Sequence, residues 1–240
     1  MQYPLIYLTL GYPTEVKFFK ILKMLDELNI KAVEVGVPDS NPKLDGKIIQ
    51  HAHKEVIHRG YSTRKIHTLL EAVINNHTFE TVIMGYHQTL YAHGIYGNAR
   101  FKDAHILCVD QQLTRHQHAY LIQLYHEGMD KKTIAHKLRH NTLFAYLMAN
   151  RTGTGIPLKM EEKHNLQRTI KAIKDVASLP VFLGFGIKDP SHASTAGEIG
   201  ADGIIIGSEF IKRSADDSVD ALKDYVVAMG EAFTMSIQEK

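Results

Sequence analysis

The sequence predicts an α/β protein folded as a (β/α)8 barrel, or TIM barrel. Eight short apolar runs rich in β-branched residues recur along the 240 residues, and segments with helical periodicity separate most of them. Near-continuous apolar strands that alternate with helices indicate a parallel sheet covered on its outer face, and eight such units close into a barrel. Because the length also suits one barrel, we expect residues 1–240 to form a single domain.

The predicted strands are short and apolar along most of their length. They are 5–10, 32–37, 81–86, 105–110, 119–125, 143–149, 180–186 and 202–207. Thr14 is the predicted cap of the first helix, whose apolar stripe comprises Val16, Phe19, Leu22, Leu25 and Leu28. Two successive helices, 46–58 and 62–75, follow the second strand, and a helix at about 216–235 closes the barrel.

One connection is too short for a complete unit. Only residues 111–118 separate the fourth strand from the fifth, whereas a parallel crossover with its helix needs at least about 10–12 residues. We therefore predict that the outer helix between these strands, at about 111–118, is missing or reduced to a single turn.

Composition excludes several classes of function. The formal charge of +2, with both signs interspersed, gives little support for nucleic-acid binding. The single cysteine, Cys108, excludes an intrachain disulfide framework, and no apolar run approaches the roughly 18 residues of a membrane span. A cytoplasmic protein without a membrane partner is the expectation.

Glu34 is the clearest candidate for catalysis. It interrupts the valine-rich run AVEVGV, and alternation places it on the strand face opposite Val33 and Val35. If the valines face the helices, Glu34 faces the barrel mouth, where active sites of this fold lie. Burial raises the pKa of a carboxyl group, as a general acid/base near neutrality requires. The alternative is a structural carboxylate paired with a cation.

Two further acids are open to two interpretations each. Asp45 follows the turn-rich segment PDSNPKLDG just ahead of a helix, so by itself it is more typical of a helix N-cap than of a catalytic group. Asp110 ends the fourth strand and is either a residue of the barrel mouth or a turn former.

A phosphate site is indicated near the end of the chain. Gly186 closes the seventh strand, and Gly207 and Ser208 close the eighth, immediately before a helical stretch. Glycines let a phosphate approach the backbone, N–H groups at a helix start hold anions, and barrels often bind phosphate after strands seven and eight. Asp189 stands where a dinucleotide fingerprint would need its third glycine.

Two other features indicate less about function. The segment 150–155, NRTGTG, is either a mobile lid or a plain loop. The 15 histidines give little support for a metal site, so we predict none and interpret them as solvated surface residues. His51 and His53, two apart on a predicted helix, should face different directions.

Taken together, these residues resemble the alpha subunit of tryptophan synthase. EVGVPDSNPKLDG is similar to that family's E-[LIV]-G-[VI]-P-F-S-D-P-x-A-D-G, and LTLGYP, MGYHQTLYAHGI and NRTGTG resemble its first-, third- and sixth-strand segments. LGFGI and IIIGSEFIK match its GFGI and GSAIVK segments. The likeness runs through most of the chain.

The resemblance implies a lyase that needs no cofactor. Such an enzyme cleaves indole-3-glycerol phosphate to indole and glyceraldehyde 3-phosphate by a retro-aldol reaction, in tryptophan biosynthesis. It implies that Glu34 is the acid/base and that Asp45 holds the indole N–H. The remaining implied residues are the phosphate ligands Gly155, Gly186, Gly207 and Ser208, the indole wall of Tyr7, Tyr86, Tyr146 and Phe185, and the lid residue Thr154.

The implied partner is the tryptophan synthase beta subunit in an α2β2 heterotetramer. The loop that would face it departs from the family pattern, with Asp39, Asn41 and Lys43 forming an unusual surface. The alternatives are a regulatory subunit of a beta partner with little or no catalysis, or another phosphosugar barrel enzyme.

Overall fold

The computed structural model describes residues 4–149, 160–184 and 186–238. Its eight parallel strands pair in sequence order and close between the last and the first, which confirms the predicted barrel. The strands are β1 (Leu5–Thr9), β2 (Ala32–Gly36), β3 (Glu80–Gly85), β4 (His105–Cys108), β5 (Leu121–His126), β6 (Ala145–Met148), β7 (Val181–Gly184) and β8 (Gly203–Ile206). Each lies within a few residues of its predicted position.

Helices cover the barrel on the outside. Within the described residues they are α1 (Glu15–Glu27), α2 (Lys47–His58), α3 (Thr63–Asn76), α4 (His87–Ala92), α5 (Lys131–Leu138), α6 (Met160–Lys174), α7 (Pro190–Glu198), α8 (Ser208–Asp216) and α9 (Val219–Gln238), with a 3-10 turn at Ala99–Phe101. Thr14 and Ser62 cap α1 and α3 by accepting hydrogen bonds from the N–H groups of Lys17 and Lys65.

The apolar face of α1 is rotated from the prediction. Leu22 and Leu25 are buried as expected, but Val16 is 69% exposed. Phe18 and Ile21 are fully buried instead. The core face therefore follows the spacing 18, 21, 22 and 25, which is also helical, so periodicity alone does not distinguish the two stripes.

The connection between β4 and β5 contains no helix in residues 109–120, as predicted. Leu113, 2% exposed, joins the hydrophobic core from this segment. Its carbonyl accepts a hydrogen bond of 3.0 Å from the Gln123 side chain, and the buried His118 ring bonds the Ala104 carbonyl through Nε2 at 2.9 Å. This segment is thus fixed against the barrel by side-chain contacts.

Strand register determines which side chains meet at the barrel mouth. Glu34 of β2 pairs with Tyr7 of β1 on one side and with Val82 of β3 on the other. Tyr146 of β6 pairs with Phe182 of β7. No helix in the described part of the chain is long and apolar enough to cross a membrane.

Candidate active site

A cavity of about 200 Å³ opens at the C-terminal ends of the strands. It lies where the fold places active sites. Its lining combines three carboxylates, two lysines, two tyrosines, five other apolar side chains, two glycines and a serine, namely Glu34, Asp45, Glu209, Lys188, Lys212, Tyr7, Tyr146, Ile48, Ile49, Met84, Ile187, Ile205, Gly186, Gly207 and Ser208. The structure therefore brings together most of the site residues expected from the sequence.

Glu34 is fully buried in this cavity. Neither of its carboxylate oxygens has a hydrogen-bond partner among the described residues. Burial without a partner disfavours the charged form, and it raises the pKa of Glu34 to about 8. A structural carboxylate would have a cation or N–H donors around it, so the geometry favours the acid/base interpretation.

Asp45 enters the cavity from the loop between β2 and α2. The N-cap of α2 is Gly46, which removes the interpretation of Asp45 as the cap. Its Oδ2 accepts a hydrogen bond of 2.8 Å from the Tyr86 hydroxyl, and that hydroxyl accepts one of 2.9 Å from the Leu44 N–H. Burial raises the pKa of Asp45 to about 6, an effect that the Tyr86 bond opposes and the negative charge of Asp39 increases.

Helix α2 fixes the loop that delivers Asp45. The Gln50 side chain donates to the backbone carbonyl of Asp45 at 2.7 Å, and the Asp39 N–H donates to His53 Nδ1 at 2.8 Å. Asp39 itself is 7% exposed, and its carboxylate accepts hydrogen bonds from the Thr89 hydroxyl and from the Asn41 N–H. Asp39 is therefore a structural residue of this loop, whereas Asn41 and Lys43 are exposed.

Each cavity tyrosine lies over a glycine of the next strand. A Cβ at Gly36 would lie 2.7 Å from Cζ of Tyr7, and one at Gly184 would lie 2.6 Å from Cε1 of Tyr146. Both distances are too short for any side chain at these positions. The two glycines thus allow the aromatic rings to reach the cavity.

The part of the cavity lining formed by Gly186, Gly207 and Ser208 has the features expected for phosphate. Gly207 is the N-cap of α8, and Ser208 is its first residue. The Ser208 hydroxyl oxygen is buried without a partner among the described residues, and Gly186 has a φ of +89°. N–H groups at a helix start together with a free hydroxyl suit an anion.

Other predicted residues lie elsewhere. Tyr86 contacts the site through Asp45 and does not line the cavity. Asp110 is outside it, and its Oδ1 accepts a hydrogen bond of 2.8 Å from the His87 N–H. Thr154, Gly155 and Phe185 lie outside the described residues, as does the loop 150–155.

Several residues of the cavity are not among those expected from the sequence. Lys212 lies one helical turn after Ser208, and Lys188 lies two residues after Gly186, so spacing from the predicted phosphate glycines could have found both. The histidines are predicted to lie on the surface, but His105 and His118 are only 7% and 4% exposed, and His53 is only 2% exposed. His51 is exposed, so His51 and His53 do face different directions. In the described residues no cluster of three or more His, Cys, Asp or Glu side chains is placed to hold a metal.

The strands form a closed parallel barrel, and two carboxyl groups with raised pKa values line the cavity at its mouth. These features define the class of this protein as a (β/α)8-barrel enzyme that works by acid–base chemistry. A family model described as "Tryptophan synthase alpha chain" matches residues 4–236. The tryptophan synthase alpha chain of Staphylococcus epidermidis is 31% identical over 229 residues, covering 88% of this chain and 90% of that protein. The Arabidopsis thaliana alpha chain is 30% identical over 220 residues, covering 86% and 79% respectively.

Solved structures agree in fold. The tryptophan synthase alpha subunit of Campylobacter jejuni superposes with a TM-score of 0.78 at 23% identity, covering 95% of this chain and 96% of that one. A chain of Mycobacterium tuberculosis tryptophan synthase gives 0.80 at 22% identity, covering 97% and 93%. The chain belongs to the tryptophan synthase alpha chain family. The predicted assignment as an alpha-type carbon–carbon lyase of tryptophan biosynthesis is confirmed, and the alternatives are not favoured.

Proposed function

We propose that this cavity cleaves indole-3-glycerol phosphate to indole and glyceraldehyde 3-phosphate, with Glu34 and Asp45 as the two catalytic carboxylates. One observation carries the proposal. Both acids line a single cavity, and burial brings their pKa values to about 8 and about 6, on either side of neutral pH. Two carboxyls with separated pKa values can supply a protonated acid and an ionised carboxylate in one site at neutral pH.

Glu34 begins the reaction as an acid, because a pKa of about 8 keeps most of it protonated at pH 7. It gives its proton to C3 of the indole ring, which becomes a cationic indolenine. The resulting carboxylate then takes the proton of the C3′ hydroxyl. The C3–C3′ bond breaks, its electron pair returns to the ring, and the C3′ oxygen becomes the aldehyde oxygen. Glu34 ends protonated, as it began.

Asp45 supplies the charge that the intermediate needs. With a pKa of about 6 it is mostly ionised at pH 7, and it accepts a hydrogen bond from the indole N–H. Positive charge grows on that nitrogen as the indolenine forms, so the interaction strengthens towards the transition state. The Tyr86 hydroxyl holds the carboxylate in place.

Different residues of the cavity bind the phosphate and the indole ring of the substrate. The phosphate is held by N–H groups around Gly186, Gly207 and Ser208, and family resemblance adds Gly155. Tyr7 and Tyr146 form an aromatic wall for the indole, with Phe185 added on the same ground. Thr154 is the proposed lid contact to the acids. No cofactor takes part in this scheme.

The proposed partner is a tryptophan synthase beta subunit in an α2β2 heterotetramer. A structurally similar chain comes from the tryptophan synthase a2b2 complex of the hyperthermophile Pyrococcus furiosus, whose subunits activate each other. The loop with the exposed Asn41 and Lys43 reaches the cavity through Asp45 and is the expected contact. Copurification with a beta subunit, followed by mass measurement of the complex, tests this partner.

A cytoplasmic location and a single domain over residues 1–240 complete the proposal. The buried free thiol of Cys108 suits a reducing compartment, and one hydrophobic cluster joins residues from β1 to α9. Cell fractionation tests the location. Limited proteolysis tests the domain, because a separate domain would be released as a stable fragment.

The deciding experiment is a steady-state assay of indole release from indole-3-glycerol phosphate, with and without a beta subunit. We expect release in both, and loss of nearly all turnover in Glu34→Gln with substrate binding retained. Absence of release from the wild-type chain under both conditions would refute the proposal. A chain that changes the beta subunit's serine chemistry without releasing indole would instead be a regulatory subunit.

A further inference from the structure

Tyr7 carries a hydroxyl group that an apolar wall does not require. This side chain is 5% exposed and lines the cavity beside Glu34, its partner in strand register. The hydroxyl oxygen lies 3.1 Å from Nε2 of His53 and 3.4 Å from Oγ1 of Thr9. Burying a hydroxyl group costs free energy unless its hydrogen bonds are satisfied. The question is therefore whether either neighbour accepts the Tyr7 proton.

The tautomer of His53 follows from its other nitrogen. The Asp39 N–H can only donate, so Nδ1 of His53, 2.8 Å away, is the acceptor. Burial lowers the pKa of His53 to about 4, although the charge of Asp39 opposes the effect, and the ring is neutral near pH 7. Its single proton is therefore on Nε2, and it is donated to the Tyr7 oxygen.

The proton of Tyr7 is then available for another acceptor. It cannot go to His53, which already donates to the same oxygen. Thr9 Oγ1, at 3.4 Å, is well beyond the usual 2.7–2.8 Å of an O–H···O hydrogen bond. The Glu34 oxygens have no partner in the described part of the chain, so they do not accept it either. Tyr7 lines the cavity, and its hydroxyl donor has no good acceptor among the described residues, so it suits a ligand oxygen.

We propose that Tyr7 is a further substrate-contacting residue, which donates a hydrogen bond to a hydroxyl oxygen of the substrate's glycerol chain, and that His53 is its positioning residue. The inference rests on the proposed function, because that substrate carries hydroxyl groups between its ring and its phosphate. Asp39 contributes by fixing the His53 tautomer through its backbone N–H. Gly36 contributes by leaving room for the Tyr7 ring.

Two substitutions at His53 separate its two hydrogen bonds. In His53→Asn the amide oxygen takes the place of Nδ1, so the bond from Asp39 is kept and the donor to Tyr7 is lost. In His53→Gln the amide nitrogen takes the place of Nε2, so the donor to Tyr7 is kept and the Asp39 bond is lost. Tyr7→Phe removes the hydroxyl alone.

We expect Tyr7→Phe and His53→Asn each to lower kcat/KM for indole release about tenfold, the effect of one lost hydrogen bond. The double variant should be no worse than either single variant, because both remove the same contact. His53→Gln should retain more activity than His53→Asn. Full activity in Tyr7→Phe, or a roughly hundredfold loss in the double variant, would overturn the inference.

Binding and NMR measurements make the test independent of turnover. Tyr7→Phe should weaken glycerol 3-phosphate severalfold in calorimetry and leave inorganic phosphate unchanged, because only the former has hydroxyl groups. Nitrogen-15 NMR of the wild-type chain should show His53 protonated on Nε2. Equal loss of both ligands, or a proton on Nδ1, would contradict the inference. If the wild-type chain releases no indole, the proposed function fails, while these measurements still decide the role of Tyr7.

Discussion

The Tyr86 hydroxyl donates to Asp45 across 2.8 Å, and the Leu44 N–H donates to the same hydroxyl across 2.9 Å. The Leu44 N–H bond uses a lone pair of the Tyr86 oxygen and so directs its proton towards Asp45. Tyr86 lies at the end of β3, whereas Asp45 lies in the loop after β2. The contact therefore joins two neighbouring units of the barrel at the point where the proposed chemistry occurs.

Tyr86→Phe should move the acidic limb of the pH profile for indole release. The lost hydrogen bond favoured the ionised carboxylate, so the pKa of Asp45 rises from about 6. As pH is lowered, the activity of Tyr86→Phe should therefore begin to fall at a pH up to about one unit higher than that of the wild type. A plot of kcat/KM against pH measures this shift. The exposed Tyr91 offers the control Tyr91→Phe. An unchanged acidic limb would mean that it reports another group, such as the substrate phosphate.

Glu34→Gln should change how stability depends on pH. An unfolded glutamate ionises near pH 4.5, whereas the native Glu34 holds its proton to about pH 8. Between these values the native state binds more protons, so wild-type stability falls as pH rises through this window. Glutamine has no such loss. The melting temperature of the variant minus that of the wild type should therefore increase by several degrees from pH 5 to pH 9.

Glu27→Gln is the matched control for that comparison, because Glu27 is exposed on α1. It should track the wild type at every pH. A constant difference between Glu34→Gln and the wild type across the whole range would show that Glu34 ionises normally in the folded protein.

Gly184→Ala should displace the Tyr146 ring. The new Cβ would lie 2.6 Å from Cε1 of Tyr146, so either the ring must move from its place over β7 or the strand backbone must shift. We expect a loss of about 1–3 kcal/mol in the free energy of unfolding and a large fall in kcat/KM. In a Tyr146→Leu background, Gly184→Ala should lower the free energy of unfolding, measured by chemical denaturation, by a smaller amount. Equal costs in both backgrounds would exclude this contact as the cause.

Lys188→Ala should weaken phosphate binding modestly. Lys188 lines the cavity near Gly186 but is exposed, so screening by solvent limits its effect to about two- to fivefold. Calorimetry with inorganic phosphate should show this loss at low salt and a smaller one at high salt. Lys20→Ala, on the exposed side of α1, should bind as the wild type does. An effect that does not change with salt would indicate a structural role for Lys188.

The barrel and the main acid could be predicted because they leave strong local signals. Eight apolar runs determine the strand count, and a glutamate within a valine-rich strand is conspicuous by itself. The missing helix follows from counting residues between β4 and β5. Strand-end glycines similarly indicate the Gly186 and Gly207 region.

The remaining contacts depend on residues far apart in the chain. Tyr86 meets Asp45 across 41 positions, and His53 meets Tyr7 across 46. The sequence places His53 on a helix, but helical spacing could not show that the loop around Asp39 folds over it. The rotated face of α1 has the same origin, since Val16 and Phe18 both fit a helical stripe.

The helix-free connection between β4 and β5 bears on how much of a barrel can be removed. A few inward side chains, Leu113 and His118 among them, occupy a place where most units of the fold have several helical turns. Strand pairing on both sides of β4 is nevertheless maintained. A barrel unit can therefore lose its helix without opening the sheet, provided that something apolar still shields the strand. In the design of small barrels, the connection between β4 and β5 is a natural example of a barrel unit that has been shortened.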